Sequence, residues 1–182
     1  MNFYLQIFGG RGAKGKFKIG GRESLTGKSI AHLPVEANSQ IKTKTSEALV
    51  RQFRSEHVSK KKEFAYAYDN NGNVYGYYEG GRNSVGIPKN MLNRKGINLI
   101  HNHPSGSNFS KQDLLTFTNS NINSLTASGK KYDYVISKTT HFREQDFRRA
   151  INDAIIQGKD YNTALHNWLI SRQADSGIII RE

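Results

Sequence analysis

The spacing of apolar and polar residues changes period several times along the chain, and each change marks a predicted element. From Thr45 to Val58 the residues Leu49, Val50, Phe53 and Val58 recur at helical spacing on or near one face, with Thr45 or Ser46 placed to cap the start. The period then drops to two. FAYAY (64–68) and VYGYYEG (74–80) are aromatic-rich alternating runs separated by the turn sequence DNNGN, so they predict a β-hairpin with Glu63 at the mouth of its first strand. A short helix is expected over 88–94, and the apolar run at 96–100 predicts a buried strand leading into His101. Residues 110–121 read as a helix with S-K-Q-D as its first turn, and YDYVIS (132–137) as a further strand. Two amphipathic helices follow, at 144–157 and 162–173; the first carries Phe147, Ala150, Ile151 and Ile155 on one stripe.

Ahead of these elements, residues 9–29 are rich in Gly, Lys and Arg with no sustained period, as expected of a flexible or loosely ordered lead-in. Gly27-Lys28-Ser29 ends like a phosphate-binding loop. The position that should hold that motif's first glycine is Arg22, however, and Gly21 comes one residue too early, so no nucleotide site is expected there. The chain therefore divides into a basic Gly-rich arm (1–44), an α/β domain (45–142) and a helical C-terminal extension (143–182).

Composition narrows the function. At 182 residues, with 36% apolar side chains, nine Tyr and nine Phe, one domain with a core is affordable, and a mean hydropathy of -0.68 implies a strongly polar surface. No apolar run approaches the roughly 20 residues of a membrane helix, and MNFYLQIF is too short for a signal-peptide core. A cytoplasmic chain, or one associated with a virion or mobile element, is expected, with no membrane partner. The absence of cysteine excludes disulfides, thiolate ligands and a cysteine nucleophile, leaving His, Asp and Glu to bind zinc. Charge is uneven: residues 1–62 hold 13 Lys and Arg against 4 acids, net +9, and residues 63–182 hold 14 against 11, net +3. Such an arm suits nucleic acid or another acidic surface.

The chemistry is concentrated in HNHPSGSNFSKQD, residues 101–113. Residues i and i+2 of an extended segment point the same way, so His101 and His103 can present both imidazoles to one ion. Pro104 ends the pairing, Gly106 permits a sharp turn, and Ser110 restarts the chain as a helix that aims Asp113 back toward the histidines. Two histidines and a carboxylate leave a fourth tetrahedral position for water, the composition of a catalytic rather than a closed structural zinc site. Hydrolysis also needs a base and an oxyanion donor; Glu63 is the first choice of base, with Glu56 and Glu79 behind it, and Ser110 is the donor.

A glutamate upstream, then H-x-H-P, then S-x-x-D resembles the JAMM (MPN+) metalloprotease signature, and HNHPSG is similar to its RadC-type branch. The motif match covers Glu63 and residues 101–113, and the order of elements extends an MPN-like layout over roughly residues 45–140. The resemblance implies a cytidine-deaminase-like mixed β-sheet flanked by helices. It also implies zinc on His101, His103 and Asp113, Glu63 as general base, Ser110 steadying the tetrahedral intermediate, and a protein or peptide substrate cleaved at a peptide or isopeptide amide. Six residues separate His103 from Ser110 where the family usually has seven, and the shortening falls in Ser107-Asn108-Phe109, at the rim of the substrate groove. The rival expectations are a non-catalytic, nucleic-acid-associated binding protein of the same fold, and a phage or mobile-element structural or effector protein.

Overall fold

The computed structural model describes residues 4–8, 45–156 and 170–181. Most of the arm, the loop-like GKS sequence and most of the second C-terminal helix lie outside these residues. Six strands form one mixed sheet in the order β3-β2-β5-β6-β7-β8: β2 (Phe64–Tyr68), β3 (Val74–Glu79), β5 (Asn98–Asn102), β6 (Ser124–Ser128), β7 (Asp133–Lys138) and β8 (Ile178–Arg181). All neighbours are antiparallel except β5 and β6. That parallel pair needs a crossover, which α3 (Lys111–Thr118) supplies. A two-stranded ladder joins β1 (Tyr4–Phe8) to β4 (Ser84–Pro88), and α1 (Ser46–His57), α2 (Lys89–Leu92), α4 (Glu144–Ile156) and α5 (Gln173–Ser176) complete the order.

The period of two sorts the sheet into two faces. Phe64, Tyr66, Tyr68 and Ile100 pack with Leu49 and Phe53 of α1. Ala65, Ala67, Leu99, Leu125, Ala127 and Ile136 point the other way, toward Leu114 and Phe117 of α3 and Phe147, Ala150 and Ile151 of α4. Helix α1 begins where expected, with the Thr45 hydroxyl accepting the Ala48 N–H at 3.2 Å. At its other end His57 is a packing residue: it stacks on Phe64 with ring centroids 4.5 Å apart, and its Nε2 lies 2.9 Å from the Tyr66 hydroxyl, which donates to Glu56.

The hairpin, the histidine strand, α3, β7 and α4 agree with the sequence pattern. Four strands do not emerge from that pattern: β1, β4, β6 and β8. The outermost two come from segments assigned to the arm and to the helical extension, so both chain ends contribute ladder, and the C-terminal segment is helical only in part.

Phe53 is fully buried against Tyr66 and His57 on the α1 face. Phe53→Ala is expected to lower unfolding free energy by about 3–5 kcal/mol in urea titration. Because that face is not the one carrying His101 and His103, metal stoichiometry in the folded fraction should stay unchanged.

Candidate metal centre

Strand β5 delivers the first ligand. Ala65 on one side and Ala127 on the other are the cross-strand partners of His101, and both are fully buried. Two methyl groups at these positions leave the imidazole room on the α3 face, where a larger pair would overpack it. His103 follows just beyond the strand; its N–H donates to the Ser128 carbonyl at 2.9 Å, so β6 still guides the backbone there. The chain then reverses at Gly106, whose φ of 73° favours glycine and whose N–H donates to the His103 carbonyl at 2.8 Å.

Helix α3 delivers the third ligand through a complete capping box. The Ser110 hydroxyl accepts the Asp113 N–H at 3.1 Å, and Asp113 Oδ2 accepts the Ser110 N–H at 2.6 Å. This holds the Asp113 carboxylate at the helix start, turned toward both imidazoles. His101 Nε2 and His103 Nε2 are 2.8 Å apart, and they lie 3.6 and 3.4 Å from the nearer Asp113 oxygens. A tetrahedral zinc with bonds of about 2.0–2.1 Å has ligand–ligand edges of about 3.3–3.4 Å, so the three separations bracket what one ion requires.

Hydrogen bonding points the same way. His103 Nδ1 lies 2.8 Å from the Ser107 carbonyl and donates to it, which leaves the lone pair on Nε2, the nitrogen facing the other ligands. Asp113 Oδ1, fully buried, has no hydrogen-bond partner of ordinary geometry, as a ligand atom would not. These three residues are the one group among the described residues whose His, Asp or Glu atoms converge tightly enough for a metal ion. The donor set therefore fits a divalent cation, without specifying which.

All three side chains are inaccessible to solvent, and their charges are mutually arranged. Burial alone would raise the Asp113 pKa, but the charges and hydrogen bonds of His101 and His103 hold it well below the usual carboxylate range. Burial dominates at His101 and lowers its pKa despite Asp113. At His103 burial is outweighed by the hydrogen bond and charge of Asp113, with Glu63 and the Ser107 carbonyl adding to them, so its pKa is raised.

Glu63 is also fully buried. It precedes Phe64, on the face it shares with Ala65 and His101, and its charge acts on His103. Its backbone is pinned on one side by β3–β4 loop residues: Glu63 N–H donates to the Gly81 carbonyl and Gly80 N–H to the Glu63 carbonyl, both at 2.8 Å. A Cβ at Gly80 would sit 2.0 Å from the Ser84 carbonyl oxygen, so only glycine allows this approach.

The other side is pinned by Asn102, which the sequence reading passed over. Its Oδ1 accepts the Phe64 N–H at 2.6 Å and its Nδ2 donates to the Lys62 carbonyl at 3.0 Å. An amide side chain thus replaces the β2–β5 ladder where that ladder ends, bracketing Glu63. The alternatives fall elsewhere. Glu56 is on α1, bound to Tyr66; Glu79 is cross-strand from Phe64 and pairs with Lys62 at 2.6 Å, so both belong to the opposite face. On that face Ser128 donates to Asp133 at 2.6 Å, and Arg54 of α1 pairs with the same carboxylate, bracing the β6–β7 end under His103.

Comparison with protein-family models, with curated proteins and with solved structures finds no match to this chain.

His103→Ala should abolish stoichiometric metal binding by elemental mass spectrometry. It should also remove the thermal stabilisation that the parent gains from added zinc, about 2.7 kcal/mol at a hundredfold excess over Kd. Binding must displace any proton on His103, whose pKa is raised, so competition sets in at higher pH than for an ordinary histidine near 6.5. Apparent affinity, titrated from pH 8 down to pH 5, is expected to fall toward tenfold per unit per proton displaced. Asn102→Ala strands a buried N–H and a carbonyl, so a loss of about 2–4 kcal/mol is expected. Amide exchange at Phe64 should accelerate in the same variant while Ala65 and Ala67 stay protected.

Proposed function

We propose that this chain is a zinc-dependent hydrolase of the JAMM (MPN+) type that cleaves a peptide or isopeptide amide bond. The observation carrying this reading is the placement of Glu63. A buried carboxylate outside the candidate ligand set shares the sheet face of His101 and acts electrostatically on His103. Hydrolysis needs that division between groups that hold a metal and a group that moves a proton. The six-stranded mixed sheet with helices on both faces supports an MPN-like arrangement.

His101, His103 and Asp113 would hold the zinc, which when bound supplies an acidified water and a polarising charge for the carbonyl. Glu63 would accept a proton from the attacking water at its carboxylate and return it to the leaving nitrogen. Burial and the two-sided pinning of its backbone keep it in place without further ordering during the reaction. The Ser110 hydroxyl uses its lone pair on the Asp113 N–H, so its own proton remains to support the developing oxyanion. In the shortened segment after His103, Asn108 and Phe109 are buried, and the three side chains that would hold the metal still converge.

Zinc-loaded protein incubated with peptide and isopeptide libraries should give products detectable by mass spectrometry. Glu63→Gln should retain zinc and lose about 10²–10⁴ in rate. Ser110→Ala should retain zinc, lose about 10²–10³ in rate and be about 1 kcal/mol less stable through loss of the cap. Full activity in Glu63→Gln would rule out this base.

A further inference from the structure

The register places four loops around the metal centre. Phe64 begins β2, Asn102 ends β5, Ser128 ends β6 and Asp133 begins β7, and these termini are neighbours at one end of the sheet together with Glu79 at the end of β3. The connecting segments at that end are 58–63, 80–83, 103–110 and 129–132. Together with Lys111, the first residue of α3, they contain seven cations, Lys60, Lys61, Lys62, Arg82, Lys111, Lys130 and Lys131, and a single acid, the fully buried Glu63. The segments at the opposite end, 69–73, 89–97, 119–123 and 139–143, hold four cations and one acid. The asymmetry is therefore local to the metal end and is not a reflection of overall net charge.

Each loop is tied to the site. Lys62 adjoins Glu63, Arg82 adjoins the Gly81 carbonyl that accepts from Glu63, and Lys111 opens α3 two residues before Asp113. Lys130 and Lys131 follow Gly129, where a Cβ would stand 3.3 Å from the Gly106 carbonyl oxygen in the histidine loop. All seven are exposed. Lys62 pairs with Glu79, and the other six form no ion pair with a described residue. Charges of one sign around a recessed, low-dielectric site add their fields and draw in a ligand of opposite sign.

We propose that this rim selects an acidic polypeptide, so that the substrate carries Asp or Glu residues flanking the bond presented to the metal centre. The choice of substrate class rests on the hydrolase reading above; the charge of the partner rests on the rim alone. Single-stranded nucleic acid fits less well. It is held on basic surfaces interleaved with several exposed aromatic rings, and Tyr132 is the one broadly exposed large aromatic side chain among the described residues.

The test is fluorescence anisotropy of the zinc-loaded full chain with three labelled probes: a ten-residue oligoglutamate, an uncharged Gly/Ser peptide of the same length, and a ten-nucleotide single-stranded DNA. Two charge-matched variants are compared with the parent. One reverses Lys60, Lys61, Lys130 and Lys131 to Glu; the other reverses Lys14, Lys16, Lys18 and Lys28 of the arm to Glu. The expected result is binding of oligoglutamate in preference to both other probes, weakened about tenfold or more by the rim variant and less than threefold by the arm variant. Circular dichroism and zinc content should be unchanged in both. Equal weakening by the two variants, or tighter rim-dependent binding of the DNA, would overturn the proposal. Incubating the zinc-loaded parent with the same acidic peptide and with acidic isopeptide substrates, and scoring products by mass spectrometry, separates the two readings, because a rim that binds acidic peptide in a parent that never cleaves it would sink the hydrolase and leave the rim standing.

Discussion

Everything at the metal end of this fold follows from putting an ionised carboxylate where no water reaches it. A lone buried carboxylate costs several kcal/mol and ordinarily takes up a proton. Asp113 instead stays charged, because two imidazoles converge on it and the N–H of Ser110 donates to one of its oxygens. Satisfying that one group fixes the termination of β5, the reversal at Gly106 and the start of α3. A second buried carboxylate, Glu63, then has to be held near the first group without joining it, and the fold does so by gripping the backbone on both sides.

Holding the two apart depends on where the sheet stops being a sheet. Between Ala65 and His101 the β2–β5 ladder is intact; one step further the Asn102 side chain takes over the main-chain hydrogen bonds, and His103 turns to β6. The small residues beside His101 serve the same end, since neither Ala65 nor Ala127 fills the space that the ring and its partners occupy. Packing on the α1 face, with His57 stacked on Phe64 and edge-on to Tyr66, backs the sheet behind these side chains.

The converging His101, His103 and Asp113 were legible in the sequence because their geometry is local: H-x-H fixes two side chains by strand alternation, and S-x-x-D fixes the third by helix capping. Glu63 was legible only as a residue at a strand mouth, and its separation from Glu56 and Glu79 required knowing which face each occupies. Asn102 left a faint signal, an amide closing the buried strand NLIHN, but its role depends on a partner 38 positions away. The missed strands have physical reasons. SLTAS, at β6, is too polar to read as a central strand, and Ile178–Arg181 is an apolar run too short to distinguish from a helix end. Both are strands because neighbouring edges supply their hydrogen bonds, which no local pattern records.

The capping box has a consequence for how ion occupancy is felt by the chain. The carboxylate that would grip the metal also closes the first turn of α3, so ion binding and helix nucleation share one side chain. One carboxylate thus faces both ways, its Oδ2 accepting from the Ser110 N–H and its Oδ1 left without a hydrogen bond of ordinary geometry beside the imidazoles. The start of α3 therefore ties a sealed interior to the loop before it, because the group that faces the histidines is also the one that anchors the backbone of Ser110.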